Sequence, residues 1–217
     1  MYAQTKVKVC GFTKPDNAGE VALLGVNAIG LVFAEQSARF VSVDVASAIA
    51  RSIPPFVSVV ALFVDPSQKQ VSEVISRVRP DLLQFHGAES PEFCNQFSVS
   101  YVKAIRVTPE LDLVQCCDEF GSSRGILLDA FSPKGHGGTG ERFDWRLIPK
   151  GGLSLPIVLA GGLSIENVGD AVGSVSPWGV DVSSGVEGPV KGEKDIGRVK
   201  DFIREVRDAD ERRAGEL

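Results

Sequence analysis

Eight short apolar runs, each followed by a helix-type pattern, constrain the fold of this 217-residue chain more than any other feature. The runs lie at 6–11, 28–34, 57–64, 82–87, 101–107, 125–131, 156–162 and 178–185. They are almost continuously apolar, which is the pattern of parallel strands covered by helices. Between them lie helical patterns at 15–26, 43–53, 67–78, 90–97, 109–120, 165–172 and 194–206, with a short turn near 144–148. Segment 67–78 shows the logic: Ser67 offers an N-cap, and Val71, Val74, Ile75 and Val78 share one face. Eight alternations in roughly 200 residues match the short end of the closed (β/α)8 TIM barrel, an α/β fold. A doubly wound open sheet is the alternative. With 43% hydrophobic residues and no linker, residues 1–217 read as one domain, with 208–217 expected to fray.

Strand parity makes the barrel reading specific. In the first run Val7 and Val9 share one face, and Lys6, Lys8 and Cys10 share the other. The outer face of a barrel packs on apolar helices, so Lys8 and Cys10 are expected to point inward. The eighth run places Asp181 and Ser183 inward by the same rule. Strands one and eight become neighbours on closure, and a buried charge needs a partner, so Lys8 and Asp181 are expected to meet.

Barrel chemistry sits at the C-terminal ends of the strands. Those ends carry Cys10, Asp65, His86, Arg106, Asp129, Gly161-Gly162 and Ser183-Ser184-Gly185. Asp129 closes the apolar run Ile126-Leu127-Leu128 and leads into Gly137-Gly138-Thr139-Gly140, which reads as a strand delivering an acid to a cavity. Cys10 and Asp129 come from runs one and six and would face each other across the mouth. A thiol acts as a base only as thiolate, and a carboxyl donates a proton only if its surroundings raise its pKa. The alternative for each is a structural role. The glycine turns at 161–162 and 184–185 offer backbone N–H groups near helix starts, the arrangement that binds phosphate after strands seven and eight. Arg39 follows the second run, where its guanidinium could grip a carboxylate or simply be solvated. His86 reads as a satisfied structural histidine.

Composition excludes several classes. A net charge of −5 and a pI near 5.2 argue against nucleic acid. No apolar stretch approaches the ~20 residues of a membrane span, and the first residues lack the apolar core of a secretion signal. Four cysteines, at 10, 94, 116 and 117, form no CxxC pair and accompany only two histidines, which suits neither a zinc site nor a disulfide framework. The expected setting is therefore a reducing cytoplasm, with Cys94, Cys116 and Cys117 buried or incidental thiols.

Taken together, the motifs resemble those of the phosphoribosylanthranilate isomerases of tryptophan biosynthesis. The matching segments are KVCGFT at 8–13, GLVFAEQSARFVS at 30–42, ALFVD at 61–65 and QFHGAE at 84–89. KAIRV at 103–107, LLDAFSPKGHGGTGERFDW at 127–145, LAGGLSIENV at 159–168 and GVDVSSGVE at 179–187 follow in order. Glu35-Gln36 and Phe85 depart from the usual family pattern. The resemblance implies a (β/α)8 barrel that needs no cofactor and no metal and acts on a small phosphorylated substrate. A monomer is expected over a homodimer, though neither composition nor motifs fix the oligomeric state. The resemblance further implies an Amadori rearrangement with Asp129 as general acid and Cys10 as general base. Arg39 would hold the anthranilate carboxylate, Gly161, Gly162, Ser184 and Gly185 the phosphate, and residues 137–140 would cover the substrate. Other phosphosugar barrels, such as the histidine-pathway isomerase and indole-glycerol-phosphate synthase, place different groups where Cys10 stands. A non-catalytic phosphate-binding barrel is the alternative from outside the enzymes.

Overall fold

A computed structural model describes residues 4–130, 144–149 and 152–215. Eight parallel strands close into a barrel in sequence order: β1 Lys6–Cys10, β2 Ala28–Val32, β3 Ser58–Phe63, β4 Leu82–Phe85, β5 Tyr101–Val107, β6 Ile126–Ala130, β7 Ile157–Leu159 and β8 Gly179–Val182. The doubly wound alternative is thereby excluded. The helices are α1 Pro15–Ala22, α2 Val43–Ser52, α3 Gln68–Val78, α4 Pro91–Asn95, α5 Leu113–Glu119, α6 Val168–Val175 and α7 Ile196–Gly215. Short 3-10 turns occupy Trp145–Leu147 and Ser184–Val186.

Local chemistry starts α2, α3 and α4 where the sequence indicates, whereas α5 begins at Leu113, four residues after the expected start at 109. Ser42, Ser67 and Ser90 accept hydrogen bonds from Val45, Gln70 and Phe93 amides, capping α2, α3 and α4, and Asp112 does the same for α5. Helix α6 begins at Val168, three residues after the expected start at 165. The Asn167 side chain takes the Ser164 amide and donates to the Gly162 carbonyl, spending that stretch on a turn.

The core lies mainly between barrel and helices. Val7, Val9, Ile29, Leu31, Leu83, Leu128 and Val180 face outward into it with Ala46, Val74 and Phe202 from the helices. Inside the barrel two smaller apolar groups remain, Cys10–Val32–Leu62 and Ala104–Leu127–Ala160. Parity is thus as expected, and Lys8 stands in register with Asp181, their side chains 2.7 Å apart.

The expectation of a frayed tail is corrected for residues 208–215, while 216–217 lie outside the described residues. Helix α7 continues to Gly215, Ala209 is buried, and Asp210 accepts both the Thr5 amide and the Thr5 hydroxyl at 2.7 Å. The tail is apolar-poor, but its inward positions close the lower edge of β1, a long-range contact that composition cannot reveal.

Candidate active site at the barrel mouth

The C-terminal ends of the strands surround a cavity of about 610 Å³. Cys10, Arg39, His86, Asp129, Gly161, Gly162, Asp181, Ser183 and Ser184 line it, with Val32, Leu62 and Val64 as its apolar wall. A concave, half-apolar site with a few convergent polar groups is the usual form of a small-molecule pocket.

Asp129 ends β6 and is buried. Its Oδ2 lies 3.0 Å from His86 Nε2, and its Oδ1 accepts the Ala130 amide at 2.9 Å. Gln84, two residues before His86 and so on the same face of β4, places its amide nitrogen 3.0 Å from His86 Nδ1. With that amide donating, Nδ1 accepts and Nε2–H points at Asp129. His86 is satisfied, as expected, but its partner is the proposed acid itself.

Cys10 ends β1 among Val32 and Leu62. Burial pushes its thiol above the usual range, the Lys8 ammonium pulls it back, Asp181 pushes it up again and Lys194 lowers it. Gly30 makes room for it, since a Cβ there would meet Sγ at 2.5 Å. Lys8 has its own pKa lowered by burial, yet Asp181 and Cys10 carry it above its ordinary value. Burial likewise raises the Asp181 carboxyl against the pull of Lys8.

Arg39 reaches the mouth from the loop after β2. Its Nε and Nη2 grip Glu187 at 2.6 and 2.8 Å, and Glu187 also takes Lys194 Nζ at 2.9 Å and the Gly192 amide at 3.0 Å. Burial raises the Glu187 carboxyl, but the two cations outweigh it and bring it down to about 2. One edge of the Arg39 fork is therefore held by the protein, and the Nη1 side is the edge that can face a ligand.

Among the described residues, the amides of Gly161, Gly162, Ser184 and Gly185 donate to no protein acceptor. Gly161 and Gly162 adopt φ of +80° and +62° on the cavity wall. Gly185 lies just behind that wall, where any Cβ would collide with the Leu163 carbonyl. Its role there is to let the loops after β7 and β8 touch. Residues 137–140 lie outside the described residues.

Comparison with known proteins decides the family. The family model for N-(5'-phosphoribosyl)anthranilate (PRA) isomerase matches residues 7–205. The chain belongs to the PRA isomerase family. It is 51% identical over 201 residues to the N-(5'-phosphoribosyl)anthranilate isomerase of Nitrosospira multiformis, covering 93% of this chain and 96% of that protein. It is 48% identical to the Azotobacter vinelandii isomerase, covering 95% of this chain and all of that one. The phosphoribosyl anthranilate isomerase structure from Thermotoga maritima superposes with a TM-score of 0.85 at 35% identity, covering 94% and 99% of the two chains. A PRA isomerase in complex with reduced 1-(o-carboxyphenylamino)-1-deoxyribulose 5-phosphate gives 0.79 at 32% identity, again covering 94% and 99%.

PRA isomerase membership leaves several mouth residues that sequence reading did not single out. The spacing of Gln84 and His86 on one strand face was available as a signal. Glu187 stands at the end of the motif at 179–187, but nothing local shows that it holds Arg39, 148 residues away. Lys194 reads as a helix start, yet its side chain is buried against Glu187 and Ser183.

Proposed function

We propose that Asp129 and Cys10 carry the isomerisation of N-(5'-phosphoribosyl)anthranilate to 1-(2-carboxyphenylamino)-1-deoxyribulose 5-phosphate at this mouth. Asp129 protonates the ribose ring oxygen, and the ring opens to a protonated Schiff base. Cys10, as thiolate, removes the C2 proton, giving an enolamine that becomes the ketone. The observation that carries this reading is that an acid and a thiol, three strands apart around the ring, open on one cavity that also reaches Arg39 and the glycine turns. The ring oxygen and the C2 hydrogen lie at different points of the sugar, so acid and base must stand apart.

The other groups fix the substrate. Arg39 takes the anthranilate carboxylate with the edge that Glu187 leaves. The amides of Gly161, Gly162, Ser184 and Gly185 take the phosphate, and the lack of a Cβ at Gly185 lets the two loops approach. The groups given roles converge on one mouth within a single chain, which supports a monomer as the proposed working unit. All four cysteines are free thiols, which suits the reducing cytoplasm. No helix among the described residues is long and apolar enough to cross a membrane.

The test uses the fluorescence of the anthranilate group. Substrate generated in situ is mixed with the purified chain, and loss of that fluorescence is the expected result. An unchanged signal at ample enzyme would sink the assignment.

A further inference from the structure

Outside the barrel, between β5 and the loop after β4, lies a buried ion pair that the reaction above does not use. Lys103 is 3% exposed and Glu89 7%, and their charged atoms are 2.9 Å apart. Desolvation takes back most of the attraction in such a pair, so burial alone is weak grounds for a stabilising role. The bonds around the pair are more informative. Lys103 Nζ also donates to the Gly87 carbonyl at 2.6 Å and reaches the Phe85 carbonyl at 3.5 Å. Glu89 accepts the Gly87 amide at 2.9 Å through Oε2 and the Asp65 amide at 2.9 Å through Oε1.

These contacts enclose one residue. The Phe85 carbonyl belongs to the peptide entering His86, and the Gly87 amide to the peptide leaving it. The His86 amide itself donates to the Phe63 carbonyl at 2.8 Å. Asp65 completes the frame by accepting the Ala88 amide at 2.6 Å. The peptide plane after the His86 Cα is therefore held from outside the barrel by Glu89. The plane before it is held by the ladder to β3, with Lys103 in long contact, while the ring spans Gln84 and Asp129 inside. A ring carrying two bonds of this length depends on a fixed Cα, because small displacements weaken both.

The geometry points to Lys103 and Glu89 as positioning residues that aim the His86 imidazole at Asp129. Its link to turnover rests on the function proposed above, but its structural half can be read without substrate. The charged groups that face the His86 ring are Asp129 from β6 and, at longer range, Asp181 from β8 with its partner Lys8 from β1. The clamp reaches the ring only through backbone.

The chain has two histidines, at 86 and 136, so side-chain nitrogen NMR of the free protein is simple to assign. The intact protein is expected to show His86 as a single Nε2–H tautomer. In Glu89→Gln, and in the charge-free double variant Glu89→Gln with Lys103→Met, its two nitrogen shifts should move toward averaged values. In the same variants kcat should fall by roughly ten- to a hundredfold with KM nearly unchanged, the loss typical of a misplaced site group. His86 shifts that stay at the parent values in a folded variant overturn the proposal, whatever happens to the melting temperature. Averaged shifts with unchanged kcat overturn the link to turnover. If the double variant does not fold, Glu89→Gln alone decides, since it keeps an acceptor for Asp65 and Gly87. If the chain lacks the proposed activity, the NMR arm still tests the clamp by itself.

Discussion

The two sides of the mouth are built by different physics. Asp129 sits in directed hydrogen bonds, one shared with His86 at 3.0 Å and one accepted from the Ala130 amide at 2.9 Å. Cys10 sits against Val32 and Leu62, and its ionisation answers to burial first and to the field of Lys8 second. The difference suits the proposed tasks. A proton donor has to be aimed at one oxygen, which directed bonds accomplish. A thiol is a poor hydrogen-bonding group, and its readiness to take a proton is set by nearby charge.

Removing either group should have the largest effect. Asp129→Asn and Cys10→Ala or Ser are each expected to lower kcat by about 10²–10⁴-fold, with substrate affinity largely retained. Near-normal turnover by either variant removes that residue from its role and collapses the contrast.

Arg39 stands apart from both sides. Arg39→Ala should raise KM by roughly ten- to a hundredfold, the worth of a hydrogen bond between charged groups, with a smaller change in kcat. Glu187→Gln should raise KM less, because the guanidinium remains but loses its fixed edge. Equal KM values for parent and Arg39→Ala would rule out the clamp.

The contrast sharpens further with pH. If the thiolate is the base, kcat/KM rises as pH rises through the Cys10 pKa, which burial has moved upward. Lys8 restrains that shift and the neighbouring Asp181 adds to it, so Lys8→Met should carry the rising limb to still higher pH. A limb that stays in place would show that Lys8 does not set the ionisation of Cys10.

The smallest effect concerns stability in acid. The Glu187 carboxyl is lowered from its usual 4.5 to about 2 in the folded chain. Its contribution is therefore full above the unfolded value, shrinks as pH falls below 4.5, and is gone once pH has passed below about 2. The gap in urea midpoint between the parent and Glu187→Gln should narrow over that window. A gap independent of pH would mean that the carboxyl is not held by its cations.

How much was legible in the sequence depended on the range of the interaction. The eight apolar runs and their alternation with helical patterns announce parallel strands covered by helices, because strand burial and helix amphipathicity are local signals. Parity, closure of the ring and the need of a buried charge for a partner together brought Lys8 to Asp181. Capping serines marked helix starts, whereas Asn167 delayed one, because its side chain competes with the helix for the backbone. The tail misled over 208–215, since an apolar-poor segment can still dock through Ala209 and Asp210.

By itself, the sequence determined eight strands of parallel type alternating with helices, with Cys10 and Asp129 at the ends of strands one and six. Those statements follow from periodicity, which depends on neighbours in the chain. Closure into a barrel came from the structure. Only the tertiary structure decided that His86 bonds Asp129, that Glu187 occupies one edge of Arg39, and that Lys103 and Glu89 enclose the backbone of His86. Hydrogen bonds and ion pairs act over about 3 Å, and which side chains come that close is set by closure of the ring and the path of its loops. No spacing in the chain encodes that distance.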